Sequence, residues 1–197
     1  MLHERRVFLL DQKQTWWKKE SERFQASAKE LERLSSLTGS AMLTGIGAIL
    51  NRFTISFTTT LRLSFAFLAV ALCGMFFGPV LAGLMGVASD ILRYFLIGGG
   101  QYFPGFTLNE FLSGFLFGLF LYRKPISLPR VFFARLSVVV LINLILTPLW
   151  LSILYKNAFI VLLATRIVKN LIMLPIETAI LYVVCKKAAS LRPYRAI

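Results

Sequence analysis

Six apolar stretches, joined by short polar or basic links, occupy most of the chain and set the limits on its fold. They cover residues 37–55, 63–77, 80–97, 108–122, 136–154 and 159–185. A helix needs about 20 apolar residues to cross a bilayer, and several of these stretches approach that length. Apolar residues make up 57% of the 197 residues, more than is usual in a soluble domain. The sequence therefore predicts an all-α polytopic membrane protein with six transmembrane helices.

Basic residues are concentrated in three segments outside these stretches. Residues 1–36 carry eight Lys or Arg, the link between the fourth and fifth stretches carries four, and the segment after Cys185 carries four. Six spans bring these segments to one side of the membrane, and an excess of Lys and Arg marks the cytoplasmic side. We therefore expect a helical arm (1–36), a six-helix membrane domain (37–187) and a cytoplasmic tail (188–197), with both termini cytoplasmic.

The arm has two interpretations. Trp16 and Trp17 beside Lys18 and Lys19 are typical of a helix lying in the cytoplasmic membrane interface, whereas its mixed charge also suits a solvated helix. The net charge of +13 would suggest nucleic-acid binding in a soluble protein. Because the sequence predicts no soluble domain to carry a basic groove, membrane topology explains that charge better.

A glycine-rich hinge separates the third and fourth stretches. Residues 92–110 read LRYFLIGGGQYFPGFTLNE, and the glycines at 98–100 allow tight turns and close approach to a ligand. We expect the chain to break at Pro104 and Gly105 and a helix to restart at Thr107. Thr followed three residues later by Glu110 matches a capping box.

Ionisable residues gather at the ends of the spans that lie away from the basic segments. The cations there are Arg52, Arg62, Arg93, Lys156, Arg166 and Lys169, and the acids are Asp90 and Glu110. Six cations against two acids leave a surplus of four, so internal pairs such as Asp90 with Arg166 absorb only part of the charge. Intramembrane charges mark functional sites. An outward-facing cavity with spare positive charge suits an anionic solute, because Arg donates in pairs to carboxylates.

The same region offers partners for an aromatic ring, since Asp90 and Glu110 can accept hydrogen bonds from ring N–H groups. Tyr94, Tyr102 and neighbouring Phe side chains can stack on such a ring. Only Glu177 is expected deeper, on the helix face of Arg166, so the inner half is predicted to be nearly uncharged and closed. The candidate binding residues are Arg62, Asp90, Arg93, Phe103, Phe106, Thr107, Glu110, Lys156, Arg166, Lys169 and Asn170.

No hydrolase, metalloenzyme or ATPase motif accompanies these residues. The sequence thus predicts no enzyme, no metal site and no cofactor, and uphill transport would need energy from partner chains. In the first stretch, Ala41 and Gly45 form a small-xxx-small pair that lets another helix approach closely. Two interpretations stay open for this pair, packing inside the bundle and docking of another membrane subunit.

Three segments resemble one known family. They are RLSF at 62–65 with GMFFGPVLAGLMGVASDILRYFL at 74–96, YFPGFTLNEFLSGFLFGLFLYRK at 102–124, and RIVKNLIMLPIE at 166–177. Together they resemble the folate-specific substrate-binding (S) component of energy-coupling factor (ECF) vitamin transporters, over most of residues 41–187. The arm looks longer than in typical members of that family.

The resemblance implies an S component in the bacterial cell membrane that captures folate from outside. It implies partners as well, a transmembrane coupling subunit and two cytosolic ATPases, with docking through the family's Ala-x-x-x-Ala motif at Ala41 and Gly45. Arg62, Lys156, Arg166 and Lys169 would hold the glutamate tail, while Asp90, Glu110 or Asn170 would contact the pterin. The alternatives are an S component for another vitamin such as riboflavin or pantothenate, a lipid-modifying enzyme, and an assembly subunit without a ligand.

Overall fold

Helices account for most of the chain that the structure describes. A computed structural model of the protein describes residues 20–52, 54–56, 62–97, 102–155 and 159–191. The elements in chain order are α1 (residues 20–29), a 3-10 turn (Glu30–Glu32), α2 (Leu34–Arg52), β1 (Thr54–Ser56), β2 (Arg62–Ser64), α3 (Ala66–Phe77), α4 (Pro79–Ile97), α5 (Pro104–Leu121), α6 (Leu128–Val138), a π-helix (Val139–Leu146), α7 (Thr147–Tyr155) and α8 (Phe159–Leu191). Because α6, the π-helix and α7 form one continuous helix, six helices follow α1, one for each apolar stretch. The predicted all-α fold class is confirmed.

The outside of this bundle is apolar. Phe95, Ile160 and Leu171 are each more than 70% exposed, which suits contact with lipid rather than water. Among the described residues, three helices are long and apolar enough to cross a membrane, namely Pro104–Leu121, Leu128–Tyr155 and Arg166–Ser190. These features agree with a membrane protein.

The predicted capping box at Thr107 is wrong. Helix α5 begins one turn earlier, at Pro104, and Phe103 at its N-cap position makes no side-chain capping bond. Proline suits the first turn of a helix because its fixed φ is already helical and its missing N–H would have no partner there. Thr107 therefore lies inside the helix, where its hydroxyl is available for contacts with other elements.

A short antiparallel pair of strands lies between α2 and α3, where the sequence predicts only a polar link. Strands β1 and β2 pair with Ile55 opposite Leu63. Ser64 at the end of β2 donates a hydrogen bond to Asn51 Oδ1 of α2, at 3.1 Å. This bond ties the strand pair to the end of α2.

Helices α4 and α5 pack with their backbones in close contact. A Cβ added at Gly86 would meet the backbone of Glu110, and one added at Gly114 would meet the backbone of Ala82. Small residues permit such an approach between membrane helices, and larger ones would hold the helices apart. The contact brings Arg93 of α4 opposite Glu110 of α5.

The turn between α3 and α4 is held by the N-terminal arm. Gly78 has a φ of 88°, a left-handed value that glycine adopts without strain and that lets the chain turn before Pro79. Ser27 of α1 is completely buried, and its Oγ accepts the Val80 N–H at 3.2 Å. The same hydroxyl donates to the Phe77 carbonyl at 3.4 Å. Ser27 thus satisfies a free N–H in the first turn of α4 from outside that helix.

Further contacts fix the described part of the arm to the bundle. Glu20 forms an ion pair with Lys124 at 2.8 Å, and Phe24 packs edge-on against Phe115 of α5. Glu30 is buried and accepts a hydrogen bond from Ser36 at the start of α2. In these residues the arm packs on the bundle, in contrast to a solvated helix.

Candidate functional site

A polar cavity of about 370 Å³ lies inside the bundle, and we call it the central cavity. It is lined by residues of all six long helices and by β2. Its polar lining residues are Thr44, Asn51, Ser64, Ser89, Asp90, Arg93, Glu110, Ser113, Arg135, Asn143, Arg166, Lys169, Asn170 and Glu177. Such a concentration of polar side chains within an apolar bundle marks a binding site.

Helix α8 contributes a continuous stripe to this lining. Arg166, Asn170, Met173 and Glu177 follow one another at intervals of three or four residues and all line the cavity. Asn170 also donates to the Arg166 carbonyl at 2.9 Å. A rise of 1.5 Å per residue places the two ends of the stripe about 16 Å apart. The face predicted from the sequence is therefore confirmed, and it gives the cavity two distinct ends.

One end of the cavity, where α4 ends and α5 and α8 begin, contains an ion-pair network centred on Arg93. We name it the outer end, and the end at Glu177 the inner end, after the orientation expected from the sequence. Arg93 Nη2 lies 2.5 Å from Asp90 Oδ1 and 3.2 Å from Glu110 Oε1. Asp90 and Arg93 are one helical turn apart on α4, so they meet on the same face. The predicted ion pair between Asp90 and Arg166 is wrong, because the Asp90 carboxylate forms its ion pair with Arg93.

Asp90 is held on its other side by hydroxyl groups. Its Oδ2 accepts a hydrogen bond from Thr107 at 2.8 Å, and the Thr107 hydroxyl is 2.9 Å from that of Tyr102. Thr107 and Asp90 are both buried. These bonds link the start of α5 to the charged network on α4.

Two further cations line the outer end, Arg166 and Lys169. Arg166 forms no ion pair with any acidic side chain in the described part of the chain. Three cations therefore face two acids there, and both acids already contact Arg93. Arg166 is therefore a cation of the outer end that no described acid pairs with. The side chains of Arg52 and Arg62, and all of Lys156, lie outside the described residues, as do the glycines at 98–100.

The aromatic residues suggested for stacking pack on one another. Phe103 lies 5.8 Å from Phe106 and 5.7 Å from Trp150, measured between ring centroids, and Tyr94 lies 5.5 Å from Tyr102. Phe103, Phe106 and Thr107 are not among the described residues that line the central cavity. They form a layer around the start of α5, in contact with the charged network through Thr107.

The inner end contains an ion pair that the sequence analysis missed. Arg135 Nε and Nη2 both donate to Glu177 Oε2, at 2.9 and 2.6 Å. Both residues are less than 10% exposed, and the Arg135 guanidinium lies 4.7 Å from the centre of the Phe67 ring. The sequence places Arg135 in the basic link between the fourth and fifth stretches, but Arg135 lies within α6. The prediction that the inner half is nearly uncharged is also wrong, because this ion pair lies there. A lone acid inside a membrane span, here Glu177, is expected to pair with a cation, and this expectation could have directed attention to Arg135.

A π-helix places another missed residue in the cavity. Asn143 lies at its centre and donates from Nδ2 to Asn170 Oδ1 at 3.1 Å. The π-helix ends at Leu146, two residues before Pro148, which lacks an N–H, and Thr147 donates its hydroxyl to the Ile142 carbonyl at 2.7 Å. Such insertions are frequent at functional sites because they redirect one side chain.

Ala41 and Gly45 of α2 are not among the described residues that line the cavity. Both are exposed, and a Cβ added at Gly45 would meet nothing within 4 Å. Thr44, next to Gly45 in the sequence, and Ala48, three residues after Gly45, line the cavity instead. The small pair is therefore not used for packing among the described helices.

Comparisons with known proteins point to one family. Residues 35–185 match the family described as "ECF transporter, substrate-specific component". A protein from Clostridium novyi (strain NT) named "Folate transporter FolT" is 38% identical over 77% of this chain and 88% of its own length. A "Folate transporter FolT" from Leuconostoc mesenteroides is 32% identical over 72% of this chain and 80% of its own length. A solved structure, "Crystal structure of FolT bound with folic acid", matches with a TM-score of 0.72 and 38% identity, over 79% of this chain and 95% of that one.

Proposed function

The chain belongs to the family of substrate-specific components of ECF transporters, and we propose that it captures folate for import across the cell membrane. One observation carries this proposal, a polar cavity within an apolar bundle whose outer end contains Arg166, a cation that pairs with no described acid. Folate carries two carboxylates and a pterin ring, which match a mixture of cations, amides and acids. The folate transporters named above support the same ligand.

Ligand binding is tested with purified protein in detergent and a calorimetric panel of folic acid, riboflavin and pantothenate. Folic acid should bind at least about a hundredfold more tightly than the others, because a site built for specific hydrogen bonds rejects ligands that leave its buried groups unpaired. Tighter binding of another vitamin would replace the ligand assignment. Binding of none would contradict the capture function itself.

Within this proposal, Arg166 and Lys169 hold the carboxylates, with Arg93, Arg62 and Lys156 as further cations. Asp90 and Glu110 accept hydrogen bonds from N–H groups of the ligand, and the Asn170 amide offers a further hydrogen-bonding group. Phe103, Phe106 and Thr107 support the outer end. Arg166→Ala should weaken folate binding about 10- to 100-fold, since hydrogen bonds to charged groups contribute about 1.5–3 kcal/mol. Arg130→Ala is the matched control, because Arg130 is not among the described residues that line the cavity. Equal affinities of the two variants would remove Arg166 from the site.

We also propose that the exposed pair Ala41 and Gly45 docks the transmembrane coupling subunit, which in turn works with two cytosolic ATPases that hydrolyse ATP. Two observations support this role: a Cβ added at Gly45 would meet no described atom within 4 Å, and Ala41 is exposed. Ala41→Leu should abolish folate uptake in cells while leaving folate binding by the isolated protein unchanged. Ala164→Leu makes the same change on an exposed face of α8 and should leave uptake intact. Equal uptake by both variants would reject the docking face.

For topology, we propose six spans with both termini in the cytoplasm. Support comes from the basic residues of the arm, the α5–α6 link and the tail, since Glu20 of α1 contacts Lys124 of that link. A protease added to intact cells should spare a tag fused to either terminus and should cleave it after lysis. Cleavage of either tag in intact cells would reverse the orientation.

A further inference from the structure

A buried hydrogen-bond network joins α5 to the end of the π-helix. Asn109 of α5 is buried, and it is not among the described residues that line the central cavity. Its Oδ1 accepts a hydrogen bond from Trp150 Nε1 at 3.1 Å, and its Nδ2 donates to Thr147 Oγ1 at 3.2 Å. Asn109 therefore uses both halves of its amide on residues of α7.

Thr147 passes this link on to the π-helix. Its backbone N–H bonds to the Ile142 carbonyl, five residues earlier, and its hydroxyl donates to the same carbonyl at 2.7 Å. In an α-helix that N–H would bond to the carbonyl of Asn143 instead. Because the Thr147 oxygen accepts from Asn109, its own proton is directed to Ile142. The network thus stabilises the π-type bond at this point.

The register of the π-helix decides the direction of Asn143. A π-type turn contains one residue more than an α-helical turn. Without that extra residue, the side chain would be turned by about 100° around the axis, the angle between successive residues of an α-helix. In the structure Asn143 lines the cavity and donates to Asn170 Oδ1 at 3.1 Å. Its own Oδ1 accepts no bond from the described residues and is available to a ligand.

A buried Asn can also serve only to hold two membrane helices together. Here α7 is attached to α5 by other contacts as well. The Trp150 ring lies 5.7 Å from that of Phe103, measured between centroids, and a Cβ added at Gly105 would lie 2.7 Å from the Trp150 ring. The bond from Asn109 to Thr147 adds something that these contacts do not supply, namely control of the hydroxyl beside the π-helix.

We propose that Asn109 is a positioning residue, which holds the π-helix in register through Thr147 and thereby keeps the Asn143 amide in the central cavity. The consequence for the ligand rests on the proposed folate function, because Asn143 then offers its free oxygen to bound folate. The direction of Asn143 itself does not depend on which ligand binds.

The first test measures that direction. Asn143→Cys is made in a chain with Cys73→Ala and Cys185→Ala, since Cys73 also lines the cavity, and is labelled with a charged, water-soluble methanethiosulfonate. Adding Asn109→Leu, which removes both hydrogen-bonding groups, should slow the labelling at least about tenfold, because the side chain turns out of the cavity.

Ser27→Ala is the matched control, because it too leaves a buried N–H without its acceptor, at the α3–α4 turn. It should leave the labelling rate unchanged. Equal rates in Asn109→Leu and Ser27→Ala would overturn the proposal. If Asn109→Leu fails to fold, Thr147→Val removes the same link with little change of shape and is measured in the same way.

The second test is a cycle of folic acid affinities. Asn143→Ala should weaken folic acid binding at least about threefold in the wild type and in Ser27→Ala, as expected for the loss of one hydrogen bond. In Asn109→Leu the same change should alter affinity less than about twofold, because the amide no longer reaches the ligand. An equal loss in all three proteins would show that Asn109 and Asn143 act independently and would contradict the proposal.

Failure of this inference is distinct from failure of the folate function. A wild type that binds no folic acid contradicts the proposed function, and the labelling rates still decide the role of Asn109. A wild type that binds folic acid, with labelling insensitive to Asn109→Leu, contradicts only the positioning of Asn143.

Discussion

Replacing Gly114 by Ala should separate α4 from α5 and thereby weaken both the fold and the ligand site. The added Cβ would lie 2.6 Å from the Ala82 carbonyl carbon and closer still to its oxygen. Ordinary contact begins near 3.4 Å, so the two backbones must move apart by at least about 0.8 Å to clear the carbon, and further to clear the oxygen. The same movement would lengthen the 3.2 Å contact between Arg93 and Glu110 to about 4 Å, beyond hydrogen-bond length.

Gly45→Ala is the matched control, because nothing lies within 4 Å of its added Cβ. Alanine favours a helix over glycine by about 1 kcal/mol at either position, so the difference between the variants isolates the clash. Overpacking costs about 1–3 kcal/mol. At about 2–4 °C per kcal/mol, Gly114→Ala should melt about 2–12 °C below Gly45→Ala.

The assay is thermal unfolding in detergent, followed by folic acid titration of both variants below their melting temperatures. Gly114→Ala should also bind folic acid more weakly, whereas Gly45→Ala should match the wild type. Equal melting temperatures for the two variants would refute the argument that α4 and α5 need backbone contact at this point.

Three further predictions use the same assays. Thr107→Val removes a hydroxyl that donates to Asp90, and it should lower the free energy of unfolding by about 1–3 kcal/mol and weaken folate binding; an unchanged affinity would separate Thr107 from the site. Ser27→Ala leaves the Val80 N–H without its acceptor and should cost about 1–3 kcal/mol without altering affinity, since Ser27 does not line the cavity. Arg135→Met leaves the Glu177 carboxylate buried without its cation and should lower the free energy of unfolding by about 3–5 kcal/mol. Adding Glu177→Met should recover most of that loss, and no recovery would contradict the pairing.

Some site residues could be predicted from the sequence because their position depends on local geometry alone. Helical spacing is sufficient to place Arg166, Asn170 and Glu177 on one face of α8, and the structure agrees. Asp90 and Arg93 also share a face on α4, yet the pair predicted from the sequence was Asp90 with Arg166. Helical spacing in the sequence predicts which side chains share a face of one helix. It does not predict which face of another helix packs against them.

The start of α5 shows a second limit. A capping box and an N-terminal proline are both local signals for a helix start, and here they compete three residues apart. Proline prevailed, and the Thr107 hydroxyl then became available to Asp90 and Tyr102. The sequence contains both local signals, whereas the partners of the Thr107 hydroxyl are tertiary contacts that no local pattern contains.

The sequence by itself determined the class of this protein. The length of the apolar segments and the positions of the basic and small residues are properties of each segment alone, and they do not depend on which helices pack together. It also indicated where polar groups would gather along each helix. Only the tertiary structure decided which of those groups meet, namely Arg93 with two acids, Asn143 with Asn170, and Arg135 with Glu177. Such pairs form between helices far apart in sequence, and their geometry depends on how closely the helix backbones approach.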